Sequence, residues 1–122
     1  MLGQKRLLSP EFWAGKRVFI TGHTGFKGSW LSFWLANMGA IVTGYALEPH
    51  TDPSIFKTLR LEHLLTNING NICNYKSLEK AINNASPEII LHLAAQPIVS
   101  EGYKNPINTF ETNVMGVVNL LE

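Results

Sequence analysis

Thr21-Gly22-His23-Thr24-Gly25-Phe26-Lys27-Gly28 decides how this chain folds, because of what stands on either side of it. Before it, Arg17-Val18-Phe19-Ile20 is a short apolar run with the character of a strand buried in a parallel sheet. After it, from Phe26 onward, Trp30, Leu31, Trp34, Leu35 and Met38 recur at steps of three and four, which predicts a helix with one apolar face, and Gly39 supplies its stop. A glycine turn between a strand and a helix is a cradle for an anion. Gly22 permits the tight turn, Gly25 lets the backbone approach a diphosphate with no Cβ in the way, and Gly28 lets the helix lie close to the sheet. The unpaired N–H groups of the first helical turn then point at the anion, and the helix dipole adds a favourable field. Lys27 adds charge or is simply solvated. His23 reads as a spacer or a local hydrogen-bonding group, not a catalyst.

Working outward, Ile41 to Ala46 predicts a second strand, followed by a stretch whose two prolines, Pro49 and Pro53, preclude regular structure. A short helix over Ser54 to Leu59, a weak third strand over Leu64 to Ile68 and a helix over Tyr75 to Asn84 come next. In that helix Leu78, Ala81 and Ile82 share one face. Pro87 to Leu93 predicts a fourth strand, and Pro106 opens a last helix through Phe110, Val114, Val117, Val118 and Leu121. Strands alternating with helices mean βαβ units, and right-handed crossovers make of them an α/β fold, a doubly wound parallel sheet with flanking helices, here the N-terminal part of a Rossmann fold. Residues 1–15 are expected to be a tail and residues 16–122 the domain. The last helix still reads as continuing at Glu122, so a domain truncated at its C-terminal end is expected.

The bulk numbers narrow the choice of partners. A chain of 122 residues that is 45% hydrophobic and 16% charged can bury one core but not two. A formal charge of +1, with both signs spread along the chain, gives no footprint for nucleic acid or for an anionic membrane. No apolar run approaches the roughly 20 residues of a spanning helix. The single cysteine, Cys73, excludes an internal disulfide and leaves no zinc-ligand spacing, so a cytoplasmic protein without a metal is expected. Trp13, Trp30 and Trp34 read as packing residues, and His92, in an apolar strand, as a hydrogen-bonded core histidine.

Three motifs in order carry a family resemblance: the G-x-x-G-x-x-G spacing from Gly22, Leu93-Ala94-Ala95-Gln96 after the fourth strand, and Glu111-Thr112-Asn113-Val114-Met115-Gly116 in the last helix. Together they resemble the extended short-chain dehydrogenases/reductases, the family of NAD-dependent epimerases and dehydratases. Within it, Phe12-Trp13-Ala14-Gly15-Lys16-Arg17-Val18, the run from Gly22 to Leu31, Gly44-Tyr45-Ala46-Leu47-Glu48-Pro49 and Leu91-His92-Leu93-Ala94-Ala95-Gln96-Pro97 look like the branch of CDP-glucose 4,6-dehydratases. The resemblance implies a nucleotide-sugar substrate and an internal redox cycle. NAD takes hydride from C4 of the hexose, water leaves across C5 and C6, and hydride returns to C6.

Position by position, the resemblance places Gly22, Gly25, Phe26, Lys27 and Gly28 around the pyrophosphate, and Tyr45 with the turn after it at the adenosine ribose. It places Asn71 and Ile72 at the adenine, Leu93, Ala94, Ala95 and Gln96 on the nicotinamide side, and Thr112 against the cofactor from the last helix. In the general Rossmann scheme a carboxylate after the second strand favours NAD and a basic residue there favours NADP. This chain has neither at that place. Glu48 follows Tyr45 by three residues and no Arg or Lys comes directly after, which leaves NAD as the expectation.

Two departures from the family pattern stand out. Where the family usually carries aspartates, this chain has Asn71-Ile72-Cys73-Asn74, and asparagine keeps a carbonyl acceptor for an adenine amino group while losing the charge. No Tyr-x-x-x-Lys pair occurs either, since Tyr45, Tyr75 and Tyr103 all lack a lysine four residues on. The catalytic residues are therefore expected beyond Glu122, and none is named here. A homodimer of the intact protein is expected through helices that include the one opening at Pro106. The competing readings are another nucleotide-sugar epimerase or reductase of the same family, a non-catalytic NAD(P)-sensing module, and a fragment without independent function.

Overall fold

In a computed structural model the described residues are 10–49, 54–94, 104, 106–107 and 111–121. The elements run α1 (Pro10–Trp13), β1 (Arg17–Thr21), α2 (Phe26–Asn37), β2 (Ile41–Ala46), α3 (Ile55–Thr58), a 3-10 turn (Leu61–His63), β3 (Thr66–Asn69), α4 (Tyr75–Ala85), β4 (Ile89–His92), a π-helical turn (Glu111–Met115) and α5 (Gly116–Leu121). The strands form one sheet in the order β3-β2-β1-β4, every pairing parallel. β1 lies between β2 and β4, with Thr21 opposite Tyr45 on one side and His92 on the other. The order steps outward from β1 in both directions, so the point where the strand order reverses lies between β1 and β4, the place where such sheets bind ligands.

Two apolar clusters sandwich the sheet. On the α2 side, Val18, Ile20, Leu35, Ala40 and Val42 are buried together. On the other side, Phe19, Tyr45, Ile72, Leu78 and Ala81 form a second core under α4, joined by Leu120 of α5. β1 and β2 feed both because alternate side chains leave the sheet on opposite faces.

The expected strands and helices up to residue 92 are present, with shifts at their ends, while of the helix expected from Pro106 residues 111–115 form a π-helical turn, residues 116–121 form α5, and residues 108–110 lie outside the described residues. β3 begins at Thr66 and ends at Asn69, later than the apolar pattern indicated, and the 3-10 turn before it carried no periodic signal. The stretch expected as a tail contains α1, whose Trp13 packs against the α2-side core, and Gly15 N–H donates to Gly39 O at 2.9 Å. The larger correction concerns α2. Its buried residues are Gly28, Ser29, Ser32 and Leu35, whereas Trp30 and Trp34 are about half exposed, at 48% and 51%. The small residues bring the helix axis close to the sheet, and that spacing leaves no room beneath it for an indole. Trp30 instead packs edge-on against Phe33 on the outer face.

Candidate functional site

The glycine turn is built by close backbone approach. Gly22 has φ +78°, a left-handed conformation that favours glycine, and a Cβ there would lie 2.6 Å from the carbonyl carbon of Leu93 and 2.6 Å from the nitrogen of Ala94. A Cβ on Gly28 would lie 2.1 Å from the Gly22 carbonyl oxygen, so the first turn of α2 is seated directly on the loop. Gly25 differs from both. A Cβ on it would meet only the Gly22 oxygen, at 3.6 Å, and the residue faces outward.

Gly25 is the N-cap of α2, makes no side-chain cap, and is followed by a first turn without an acidic residue. The helix start thus offers uncapped N–H donors and no competing negative charge, with Lys27 exposed beside them. This donor set suits a diphosphate, and the outward-facing Gly25 leaves it accessible.

Thr21 joins the turn to the end of β4. Its Oγ1 accepts the N–H groups of Leu93 and Ala94 at 3.1 and 3.2 Å and lies 2.6 Å from Nδ1 of His92. The Leu93 N–H is shared with the Thr21 carbonyl at 2.9 Å, and the hydroxyl and the neutral imidazole share one hydrogen bond whose direction follows the His92 tautomer. Burial holds His92 below its ordinary value and so favours this neutral form. Residues 93 and 94 are therefore anchored against Gly22. Thr21 itself was not singled out by sequence, because a threonine ending a strand carries no special signal.

His23 is fully buried, as a local hydrogen-bonding group should be, with Nε2 at 2.6 Å from Asn67 Oδ1 and its ring edge-on to Phe56. The ring occupies the space over Gly44, where a Cβ would come within 2.3 Å of it. Among the described residues its Nδ1 has no hydrogen-bond partner, and burial lowers its pKa more than the Asn67 bond raises it. This side chain belongs to the support of the turn, not to its surface.

The second strand and the loop after β3 lie beside the turn at the same end of the sheet. Tyr45 is a correction to the sequence reading: its side chain is 0% exposed, stacks on Phe19, and lies with its hydroxyl 3.0 Å from both the Asn71 carbonyl and Ser77 Oγ. It faces the core because it is in phase with Thr43 and out of phase with Gly44, and so cannot reach a ribose with its side chain. The turn after it is held at the site, since Thr24 Oγ1 donates to Leu47 O at 2.8 Å and Asn69 donates to Glu48 Oε1 at 3.0 Å.

The Ile72 side chain is likewise core, 5% exposed, and a Cβ on Gly116 would lie 2.6 Å from its Cγ2. Only its backbone is left to face a ligand, and its carbonyl accepts from Asn119 at 3.1 Å. Asn71 is exposed. Of the remaining expected positions, Phe26 is 69% and Leu93 40% exposed, while Ala94 packs under the second core. Ala95 and Gln96 lie outside the described residues. Thr112 falls in the π-helical turn. Gly22, Gly25, Gly28 and Leu93–Ala94 are thus brought together, with the residue 47–48 turn held to them through Thr24.

Among the described residues no group of three or more His, Cys, Asp or Glu is placed to hold a metal, and no helix is long and apolar enough to cross a membrane. Residues 19–122 match the family described as GDP-mannose 4,6 dehydratase. A CDP-glucose 4,6-dehydratase of Salmonella typhimurium is 54% identical over 116 residues, which are 95% of this chain and 32% of that protein. A solved structure of UDP-glucose 4-epimerase with UDP-glucose from Thermotoga maritima superposes with a TM-score of 0.73 at 26% identity, covering 85% of this chain and 32% of that one. A UDP-glucose-4-epimerase of Stenotrophomonas maltophila, solved with bound NAD and formylated UDP-arabinopyranose, shares the fold at TM-score 0.75 and 24% identity, covering 87% of this chain and 32% of that one. The chain spans about a third of the length of these relatives.

Proposed function

Because the chain belongs to the GDP-mannose 4,6-dehydratase family of NAD-dependent nucleotide-sugar dehydratases and epimerases, we propose that it forms the NAD-binding part of a CDP-glucose 4,6-dehydratase. The observation that carries this reading is the uncapped start of α2 behind an outward-facing Gly25, in a chain 54% identical to an enzyme of that name. The 26% identity to the Thermotoga epimerase makes an epimerase the weaker alternative.

In this proposal the backbone from Gly25 to Gly28 holds the pyrophosphate, with Lys27 adding positive charge outside it. Gly22 contributes by closeness to residues 93 and 94, not by contact with ligand. Leu93 to Gln96 line the nicotinamide side, the turn at residues 47–48 takes the ribose in place of the Tyr45 side chain, and Asn71 with the backbone of Ile72 faces the adenine. Thr112 approaches the cofactor from the last helix. When bound, NAD would supply a hydride acceptor and then donor, so that oxidation at C4 of the hexose and reduction at C6 balance and the cofactor ends unchanged. No residue of this chain is assigned to sugar chemistry, in keeping with the missing Tyr-x-x-x-Lys pair.

The same proposal extends to a cytoplasmic place in deoxysugar and polysaccharide biosynthesis, and to a homodimer. Val114, Met115, Val118 and Leu121, all exposed around the last helix, supply an apolar face for pairing. Calorimetric titration with NAD and NADP at matched salt, beside Gly25→Val, tests the cofactor reading. Saturable binding of NAD that the valine abolishes is expected. Equal binding by both proteins would remove the turn from the site.

A further inference from the structure

Asn69 is followed by Gly70, the only asparagine–glycine pair in the chain. In such a pair the glycine nitrogen can attack the side-chain carbonyl carbon of the asparagine, because glycine puts no side chain in the way and allows the backbone rotation that ring closure needs. The carbon–nitrogen bond of a five-membered succinimide forms, the side-chain amide bond breaks, and ammonia leaves with the Gly70 proton. Water then opens the ring at either carbonyl, giving aspartate or the isoaspartyl linkage, with no oxidation or reduction in either step.

Packing keeps the pair together. A Cβ on Gly70 would lie 2.5 Å from the ring of Tyr45, and that ring is buried, stacked on Phe19 and held at its hydroxyl, so it cannot give way to a larger residue. Two hydrogen bonds stand between the pair and the reaction. Gly70 N–H, the attacking group, donates to Ala46 O at 2.9 Å at the end of the β2–β3 ladder. Asn69 Nδ2, the leaving group, donates to Glu48 Oε1 at 3.0 Å. β3 is four residues long and outermost in the strand order among the described residues, and both Asn69 and Glu48 are exposed. Such a strand end opens locally at low cost.

Beyond Gly70 the chain is pinned. Tyr45 Oη lies 3.0 Å from the Asn71 carbonyl, the Asn71 side chain accepts Cys73 N–H at 2.9 Å in an Asx turn, and Asn119 donates to the Ile72 carbonyl at 3.1 Å. Opening is therefore confined to the end of β3.

We propose that Asn69 is a modification site, converted to aspartyl and isoaspartyl forms when the end of β3 opens and kept as the amide by Glu48 and Ala46 while it is closed. The new carboxylate would face Glu48 in place of an amide donor, so the tie between β3 and the turn at residues 47–48 gives way to like-charge repulsion. The isoaspartyl form also lengthens the main chain by one carbon and shifts Gly70 N–H off Ala46 O.

Incubation of the unaltered protein in buffer and in urea, and of Glu48→Ala in buffer, at mildly alkaline pH tests this, with peptide mass spectrometry locating each converted asparagine. In buffer, Asn69 is expected to convert ahead of every other asparagine, about two- to tenfold faster in Glu48→Ala, as the loss of one hydrogen bond implies, and faster again in urea. If Glu48→Ala does not fold, the comparison of buffer with urea decides alone. An Asn69 that keeps its amide in buffer over several of its half-lives in urea, or that converts at one rate in all three samples, would overturn the proposal.

Discussion

The hydroxyl of Thr21 and the imidazole of His92, 2.6 Å apart across parallel strands, tie the end of β1 to the end of β4. The same oxygen accepts two backbone N–H groups, of which that of Leu93 also donates to the Thr21 carbonyl at 2.9 Å, so Thr21→Val would strand two partners, the Ala94 N–H and the His92 ring nitrogen, while keeping the shape of the side chain. A loss of about 1–3 kcal/mol in urea unfolding is expected, with Thr21→Ser close to the unaltered protein. Equal losses for valine and serine would mean that the methyl packing, not the hydroxyl, holds the junction.

Gly28 has no space for a side chain. A Cβ there would sit 2.1 Å from the Gly22 carbonyl, and both partners are backbone. Gly28→Ala should therefore cost at least about 1–3 kcal/mol by overpacking, and should weaken dinucleotide binding as α2 is pushed off the turn. Gly25→Ala, where the nearest atom is 3.6 Å away, should leave stability nearly unchanged. Chemical denaturation of the two variants side by side checks the contrast.

Most of the architecture is legible in the sequence, and the reasons are physical. β1 and β2 are short apolar runs bounded by glycine or by polar residues, and they form where the pattern places them. The turn announces itself because its glycines stand between a strand and a helix. The side-chain facing of α2 was not legible: Trp30 and Trp34 follow the apolar periodicity, but the helix approaches the sheet through Gly28, Ser29 and Ser32, a choice set by tertiary packing. Tyr45 was misjudged because position in the chain places it at the ribose, while strand phase turns its side chain into the core. The anchors Thr21, Asn67 and Asn119 are polar residues of ordinary type, and only their partners in space mark them out.

Two histidines make stability depend on pH. Burial lowers the pKa of His23, against the opposing Asn67 hydrogen bond, and burial lowers that of His92. Each folded-state value lies below the unfolded one, so the unfolded chain takes up the proton first. Stability is then full above the ordinary value of 6.5 and falls as pH drops from there through the folded values. The slope should reach up to about 1.4 kcal/mol per pH unit for each histidine. Urea midpoints between pH 8 and pH 5 check this, and His92→Asn should flatten the slope in part. A midpoint that is constant over this range would refute the neutral, buried assignment of both rings.

Tyr45 acts on the loop after β3 from beneath. Tyr45→Phe removes the hydroxyl between the Asn71 carbonyl and Ser77 Oγ without opening a cavity, and should cost about 0.5–1.5 kcal/mol. Amide exchange at Cys73 and Asn74 should quicken relative to the β1 amides. Unchanged exchange would show that Asn119 and the Asx turn suffice to hold the loop.

The central claim is that the start of α2 holds the pyrophosphate of a dinucleotide. Backbone amide shifts followed by nuclear magnetic resonance during titration with NAD test it most directly. The account predicts saturating shifts at Gly25, Phe26, Lys27 and Gly28, with smaller ones at Leu93 and Ala94 and little change at the far end of the sheet around Lys16 and Ile41. Saturating shifts elsewhere, with the amides of residues 25–28 unmoved, would contradict it.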